Sequence, residues 1–342
     1  MGASLQLPFT YPVNSAYLAV AHVTSPRIST YPWSSSGFGT KFTDPATLPT
    51  GDGFGAAFSN SNDAIAVGHT TTPCISAYPW SASGFGTKFT NPATLPTTRG
   101  RETAFTTAGD ALAVASDASP FILVYPWSTS GFGTKFTDPA TLPAGAGLAT
   151  AFTTAGDAIA VAHQVSPFVS VYPWSTSGFG TKFTDPGTAI PSQGSGVSFS
   201  TAGNAIAVAH SGTPFVSAYP WSGSGFGTKF TDPATLPAGV GRDCPFTTAD
   251  NAIAIAHDTT PFVSAYPWSG SGFGTKFTNP ATLPGTQGLG ADFTSFDDAL
   301  AIAHATTPFI SVYPWSTSGF GTKFTNPATL PASTGRQPSF SH

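Results

Sequence analysis

Residues 31–42 read Tyr31-Pro32-Trp33-Ser34-Ser35-Ser36-Gly37-Phe38-Gly39-Thr40-Lys41-Phe42. The stretch returns six more times, varying only at the residue after Trp-Ser. Its tryptophans are Trp33, Trp80, Trp127, Trp174, Trp221, Trp268 and Trp315, spaced 47 residues apart, and the chain has no other Trp. The repeat lysines, Lys41 to Lys323, are likewise all the Lys present. A chain of 342 residues would ordinarily hold about two domains. Seven units of this length leave no room for a second, so the chain reads as one closed repeat array.

Working outward, residues 145–191 represent the unit. Residues 148–152 form a short apolar run ending in Thr-Thr-Ala-Gly-Asp, a tight-turn composition. Ala158-Ile-Ala-Val-Ala-His163 alternates Ala with larger residues, the period of a strand whose two faces differ in bulk. After Gln-Val-Ser-Pro, residues 168–172 (Phe-Val-Ser-Val-Tyr) are β-branched and aromatic, a third strand. Pro-Trp-Ser-Thr-Ser-Gly is expected to turn the chain into a fourth strand over 179–184. Asp185-Pro186 and the Pro-rich segment beyond carry it onward. No segment has helical periodicity. Four short strands per repeat predict an all-β, seven-bladed β-propeller with four antiparallel strands per blade. The blades fall at about 1–50, 51–97, 98–144, 145–191, 192–238, 239–285 and 286–332, and 333–342 is a ring-closing strand.

Charged residues are only 8% of the chain, Glu102 is the sole Glu, and the net charge is −4. With no run of Lys or Arg, nucleic acid and anionic membranes are not expected partners. No 18-residue apolar span predicts membrane insertion, and residues 1–8 lack a secretory pattern. Cys74 and Cys244 occupy different phases of the repeat and read as free thiols.

The string Ala-Phe-Thr-Thr-Ala-Gly-Asp-Ala-Ile-Ala-Val-Ala-His (151–163), with Pro-Phe-Val-Ser-Val-Tyr (167–172) and Asn-Pro-Ala-Thr-Leu-Pro at 91–96, 279–284 and 326–331, resembles WD40-like repeats common in bacteriophage genomes. Tyr172 stands where such blades carry a Trp and Ala162 where they carry a Ser, so their hydrogen-bond tetrad is absent. The resemblance implies a propeller made without a signal peptide and displayed on a virion or other extracellular surface.

Two segments compete for the innermost strand of the first blade. Residues 335–341 continue the inner-strand register, with Phe340 equivalent to Phe293. Residues 4–11 are the rival. The first is expected to pair with the strand over 17–22.

Chemistry is harder to place. His22, His69, His163, His210, His257 and His304 occupy one repeat position, where the third unit has Ser116. One per blade is too sparse for a shared metal, and each is expected to donate across a blade interface to a loop carbonyl or hydroxyl. Asp44, Asn91, Asp138, Asp185, Asp232, Asn279 and Asn326 precede Pro, and the Asp/Asn exchange points to Asx turns. Asp63, Asp110, Asp157, Asn204, Asn251 and Asp298 tolerate the same exchange. No Gly-x-Ser-x-Gly elbow or phosphate loop occurs, and no unit carries an insertion that would build one asymmetric site. The seven Trp, flanked by Ser and Gly, are the candidate ligand-binding residues, able to stack on sugar rings. The expectation is a non-enzymatic propeller without cofactor or metal, a phage virion component contacting other virion proteins or a host-surface glycan or protein. The alternatives are a multivalent carbohydrate-binding lectin and a general protein-interaction scaffold.

Overall fold

A computed structural model describes residues 16–342. The described residues form seven four-stranded antiparallel sheets and no helix. In the fourth blade the strands, from the axis outward, are Gly147–Phe152, Ala158–His163, Val169–Ser175 and Gly178–Phe179. The third strand therefore runs on through Pro173 and Trp174, and the fourth is only two residues long. The Trp lies on a strand rather than in the turn, because Trp174 pairs with Phe179 and its N–H reaches Asp157 O at 2.7 Å.

Alternating bulk organises the interfaces. Ala158, Ala160 and Ala162 of one blade pack against Ile206 and Val208 of the next. Seven such clusters run round the ring. Small residues facing branched ones let twisted sheets approach without voids, and apolar burial rather than charge holds the blades together.

The ring is closed by Gly335–Phe340, which pairs antiparallel with Ala16–His22 from Leu18↔Phe340 to His22↔Gly335. Ser341 Oγ accepts the Tyr17 N–H at 2.8 Å. The rival segment, 4–11, lies outside the described residues.

Every inner strand begins with Gly, and a Cβ there would collide with a backbone carbonyl of the preceding blade. At Gly147 the atom is Phe121 O, 2.2 Å away. The ladder then slips at the following residue in all seven blades, between Gly147 and Ala149 for example. This β-bulge frees Phe54, Arg101, Leu148, Ser195, Arg242, Leu289 and Arg336 from strand pairing, and all seven line a cavity at one end of the axis.

Candidate functional site

The residues that dominate the repeat are absorbed by structure. The seven Trp are only 4–7% exposed. Each is boxed by edge-on phenylalanines: Trp174 meets Phe136 of the preceding blade at 5.0 Å and Phe152 and Phe179 of its own at 5.4 and 5.0 Å. A crevice of about 210 Å³ borders Trp174 beside Pro126 and Phe136, but no bare indole face is available for a sugar. Trp33, Trp80, Trp127, Trp174, Trp221, Trp268 and Trp315, the candidate ligand-binding residues, pack as a clamp between blades. Trp174→Ala is expected to cost about 3–5 kcal/mol, read from the midpoint of urea unfolding.

The six repeat His are fully buried, and each Nε2 meets a Ser hydroxyl at 3.0–3.1 Å. The partner, such as Ser170 for His163, lies on the adjacent strand of the same blade, not across the interface. Nδ1 lacks a hydrogen bond of good geometry and faces the backbone two residues on, Val165 for His163. In the third blade both members change, to Ser116 and Leu123. The interblade bond is carried instead by Tyr, as from Tyr172 Oη to Thr141 O at 2.9 Å.

The acids before Pro accept from the repeat lysines, Lys182 to Asp185 and Lys88 to Asn91 among them. An amide oxygen serves as well as a carboxylate, which explains the exchange. Asp157 and its equivalents accept from the first-turn hydroxyl, Thr153 Oγ1 to Asp157 Oδ1 at 2.6 Å. Cys74 and Cys244 are free and buried.

The chemically unusual residues lie where the repeat is broken. Arg101, Arg242 and Arg336 come from bulges in the third, sixth and first blades and converge on one cavity of about 190 Å³. Phe54 stands between two of them, its ring centre 4.5 Å from the Arg101 guanidinium and 5.0 Å from that of Arg336. Arg101 is held by Asp117, at 2.6 and 3.1 Å, and Arg242 lies 3.7 Å from Asp258. Arg336 has no ion pair among the described residues, although Asp52 lies near enough to favour its charge. Burial, then Arg101, Arg242 and Arg99, lower its pKa. Arg242 Nε, Arg336 Nε and Ser195 Oγ are buried without partners among the described residues.

Below the arginines lie three carboxyl groups. Asp243 accepts from Cys244 N at 2.8 Å and from Ala291 N and Gln337 Nε2 at 2.9 Å, stitching three consecutive blades. Asp292 accepts from Phe340 N at 2.7 Å. These two have structural work to do. No hydrogen bond bears on the Glu102 side chain among the described residues: burial first, then Asp243 and Asp292, push its pKa well above the carboxylate range. Its backbone packs against Gly55, where a Cβ would sit 2.6 Å from Glu102 Cα. Glu102 and Gln337 border both the arginine cavity and a second one of about 330 Å³ on the opposite side.

Fold and axis together define a seven-bladed propeller whose polar and charged side chains meet in its central channel. No family model and no curated protein matches the sequence. Among solved structures the chain is similar to candidate 6-phosphogluconolactonases of Bacteroides fragilis (TM-score 0.76, 13% identity, 96% of this chain and 98% of that one) and Bacteroides uniformis (0.75, 13%, 95% and 99%). It is also similar to a periplasmic gluconolactonase of Pseudomonas aeruginosa (0.70, 13%, 96% and 99%). At such identity the likeness is one of fold.

These findings correct the expectation of a non-enzymatic phage virion component. The propellers named above bear lactonase names, and the phage resemblance finds no support among them. Asymmetry at the axis comes from substitution rather than insertion. The signal was present in the sequence: Glu102 is unique, and none of the five Arg belongs to the repeat consensus.

Proposed function

We propose that the chain is a hydrolase that opens a lactone, or a related ester, of a small sugar acid carrying an anionic group. The observation that carries this reading is Arg336, without an ion pair among the described residues, sharing one cavity with Arg101, Arg242 and Glu102, whose carboxyl has no hydrogen bond among them. The names of the similar propellers agree with it. In this reading the guanidinium groups hold the anionic group of the substrate, and Glu102 is the catalytic base. Once ionised beside the guanidinium groups, a carboxylate whose pKa is raised is a stronger base than an ordinary one. Water adds its oxygen to the carbonyl carbon and gives a proton to Glu102. The ring C–O bond then breaks, and that proton passes to the leaving oxygen, giving the hydroxy acid. Asp243 is a positioning residue that holds Gln337 at the channel wall.

The test is proton release from 6-phosphogluconolactone and gluconolactone, followed in a pH-stat. Glu102→Gln should lower kcat about 100-fold or more, and Arg336→Ala should raise KM about 10- to 100-fold for the phosphorylated substrate. Hydrolysis of neither lactone above the buffer background, or full activity in Glu102→Gln, would overturn the reading.

A further inference from the structure

Glu102 stands in a wall between two unlike spaces. With Gln337 it borders both the arginine cavity and the second chamber. The arginine cavity, at about 190 Å³, is smaller than the roughly 300–1,000 Å³ of most small-molecule sites. A sugar lactone held there by its anionic group leaves little room beside it. The second chamber, at about 330 Å³, stays open behind Glu102. Exposed Asn60, Thr107 and Thr154 stand at its mouth, at the end of the ring where first and second strands are joined.

With the lactone seated, a nucleophile reaches Glu102 from the chamber side. Water is not the only molecule that this space admits. No Lys or Arg lines it, so an anion finds no counter-charge there. Its second acid is Asp292, whose carboxyl burial raises to about 8 and keeps mostly protonated at neutral pH. Ser198, Ser339 and Asn60 share the wall with Phe105, Phe152 and Phe199. A space that is part polar, part aromatic and without cations suits a small neutral alcohol.

We propose that the second chamber is an acceptor site, and that the protein also transfers the acyl group of its lactone to small neutral polyols. This inference rests on the lactonase reading and adds a second substrate to it. The alcohol oxygen adds to the carbonyl carbon, and the alcohol proton goes to Glu102. The ring C–O bond then breaks, and that proton passes to the leaving oxygen. The product is a hydroxy ester that keeps every atom of the lactone and the alcohol, with no change of oxidation state. Ala104, two residues beyond Glu102 and on the same face of Gly100–Phe105, also lines the chamber. Its small side chain leaves room for the acceptor beside the carboxyl group.

The test is turnover of 6-phosphogluconolactone by the full chain in molar glycerol, with early products resolved by mass spectrometry into glyceryl ester and free acid. The ester should form at least about tenfold faster than without protein. Glycerate, an anionic alcohol, should give no ester above that background. Ala104→Leu should lower the ester-to-acid ratio about tenfold while hydrolysis continues. Should that variant fail to fold, Ala151→Leu, the equivalent change in the fourth blade, takes its place. Hydrolysis with no ester above background, equal ester from glycerate, or an unchanged ratio in the folded variant would overturn the acceptor site and leave the lactonase reading standing. If neither acid nor ester forms above background, both fall.

Discussion

Acidification from about pH 6.5 toward about pH 4 is expected to unfold the ring in one cooperative step. Burial, the largest cause at every site, lowers the pKa of His22, His69, His163, His210, His257 and His304 from 6.5 to about 4. The folded value lies below the unfolded one, so in this window the unfolded chain binds more protons and stability falls as the pH falls. A shift of this size is worth about 3 kcal/mol per histidine. Six of them reach on the order of 15–20 kcal/mol, more than the 5–15 kcal/mol by which a domain is usually stable. The carboxyl groups at the axis act in the opposite sense. Asp292, raised from 3.8 to about 8, favours the fold while protonated, and its contribution is lost as the pH rises through about 8. Stability should therefore peak near neutrality. Near-UV circular dichroism and Trp fluorescence followed against pH measure the transition, and a native signal persisting below pH 4 would contradict it. The third blade suggests a control. Installing its Ser116–Leu123 pair at another site, as His163→Ser with Ser170→Leu, removes one buried histidine and should move the midpoint to lower pH.

Removing residues 335–342 should open the ring. The deletion exposes the backbone edge of Ala16–His22, takes the Ser341 hydroxyl from Tyr17 N, and removes Phe340 from its contact with Trp33 at 5.3 Å. Ladder hydrogen bonds at about 1 kcal/mol each and a buried Phe at about 3–5 kcal/mol together approach the whole stability of a domain. The bare edge also invites association between chains. Thermal melting with size-exclusion chromatography is the measurement, and we expect early melting and soluble aggregates. A synthetic peptide of residues 335–342 added in trans should restore part of the melting temperature by strand addition. A truncated chain that melts like the full one would mean that another segment, with 4–11 the obvious choice, fills the slot.

Both predictions rest on features that repeat, and repeated features are the ones a single sequence displays. The 47-residue interval, the Ala-Ile-Ala-Val-Ala-His alternation and the Asp/Asn exchange before Pro were enough to place strands, turns and blade number. Strand ends were less legible. The run Tyr-Pro-Trp-Ser looked like a turn because Pro lacks a donor, yet it extends the third strand, where only a two-residue outer strand pairs beside it. The His partners were misplaced across the interface because strand alternation gives the face of a side chain but not the hydroxyl its ring reaches, which is the Ser seven residues on in the same blade.

The candidate site was hidden by the same regularity. Arg101, Glu102, Arg242, Asp243, Asp292, Arg336 and Gln337 are departures from the repeat, separated by up to five blades, and none belongs to a local motif. The periodic pattern by itself determined the ring, because each blade must bury the same apolar faces against its neighbours. Only the closed tertiary structure decided that seven bulges point to one axis. Convergence on an axis is a property of the whole ring, and burial beside other charges, which gives these groups their altered acidity, exists only once it has closed.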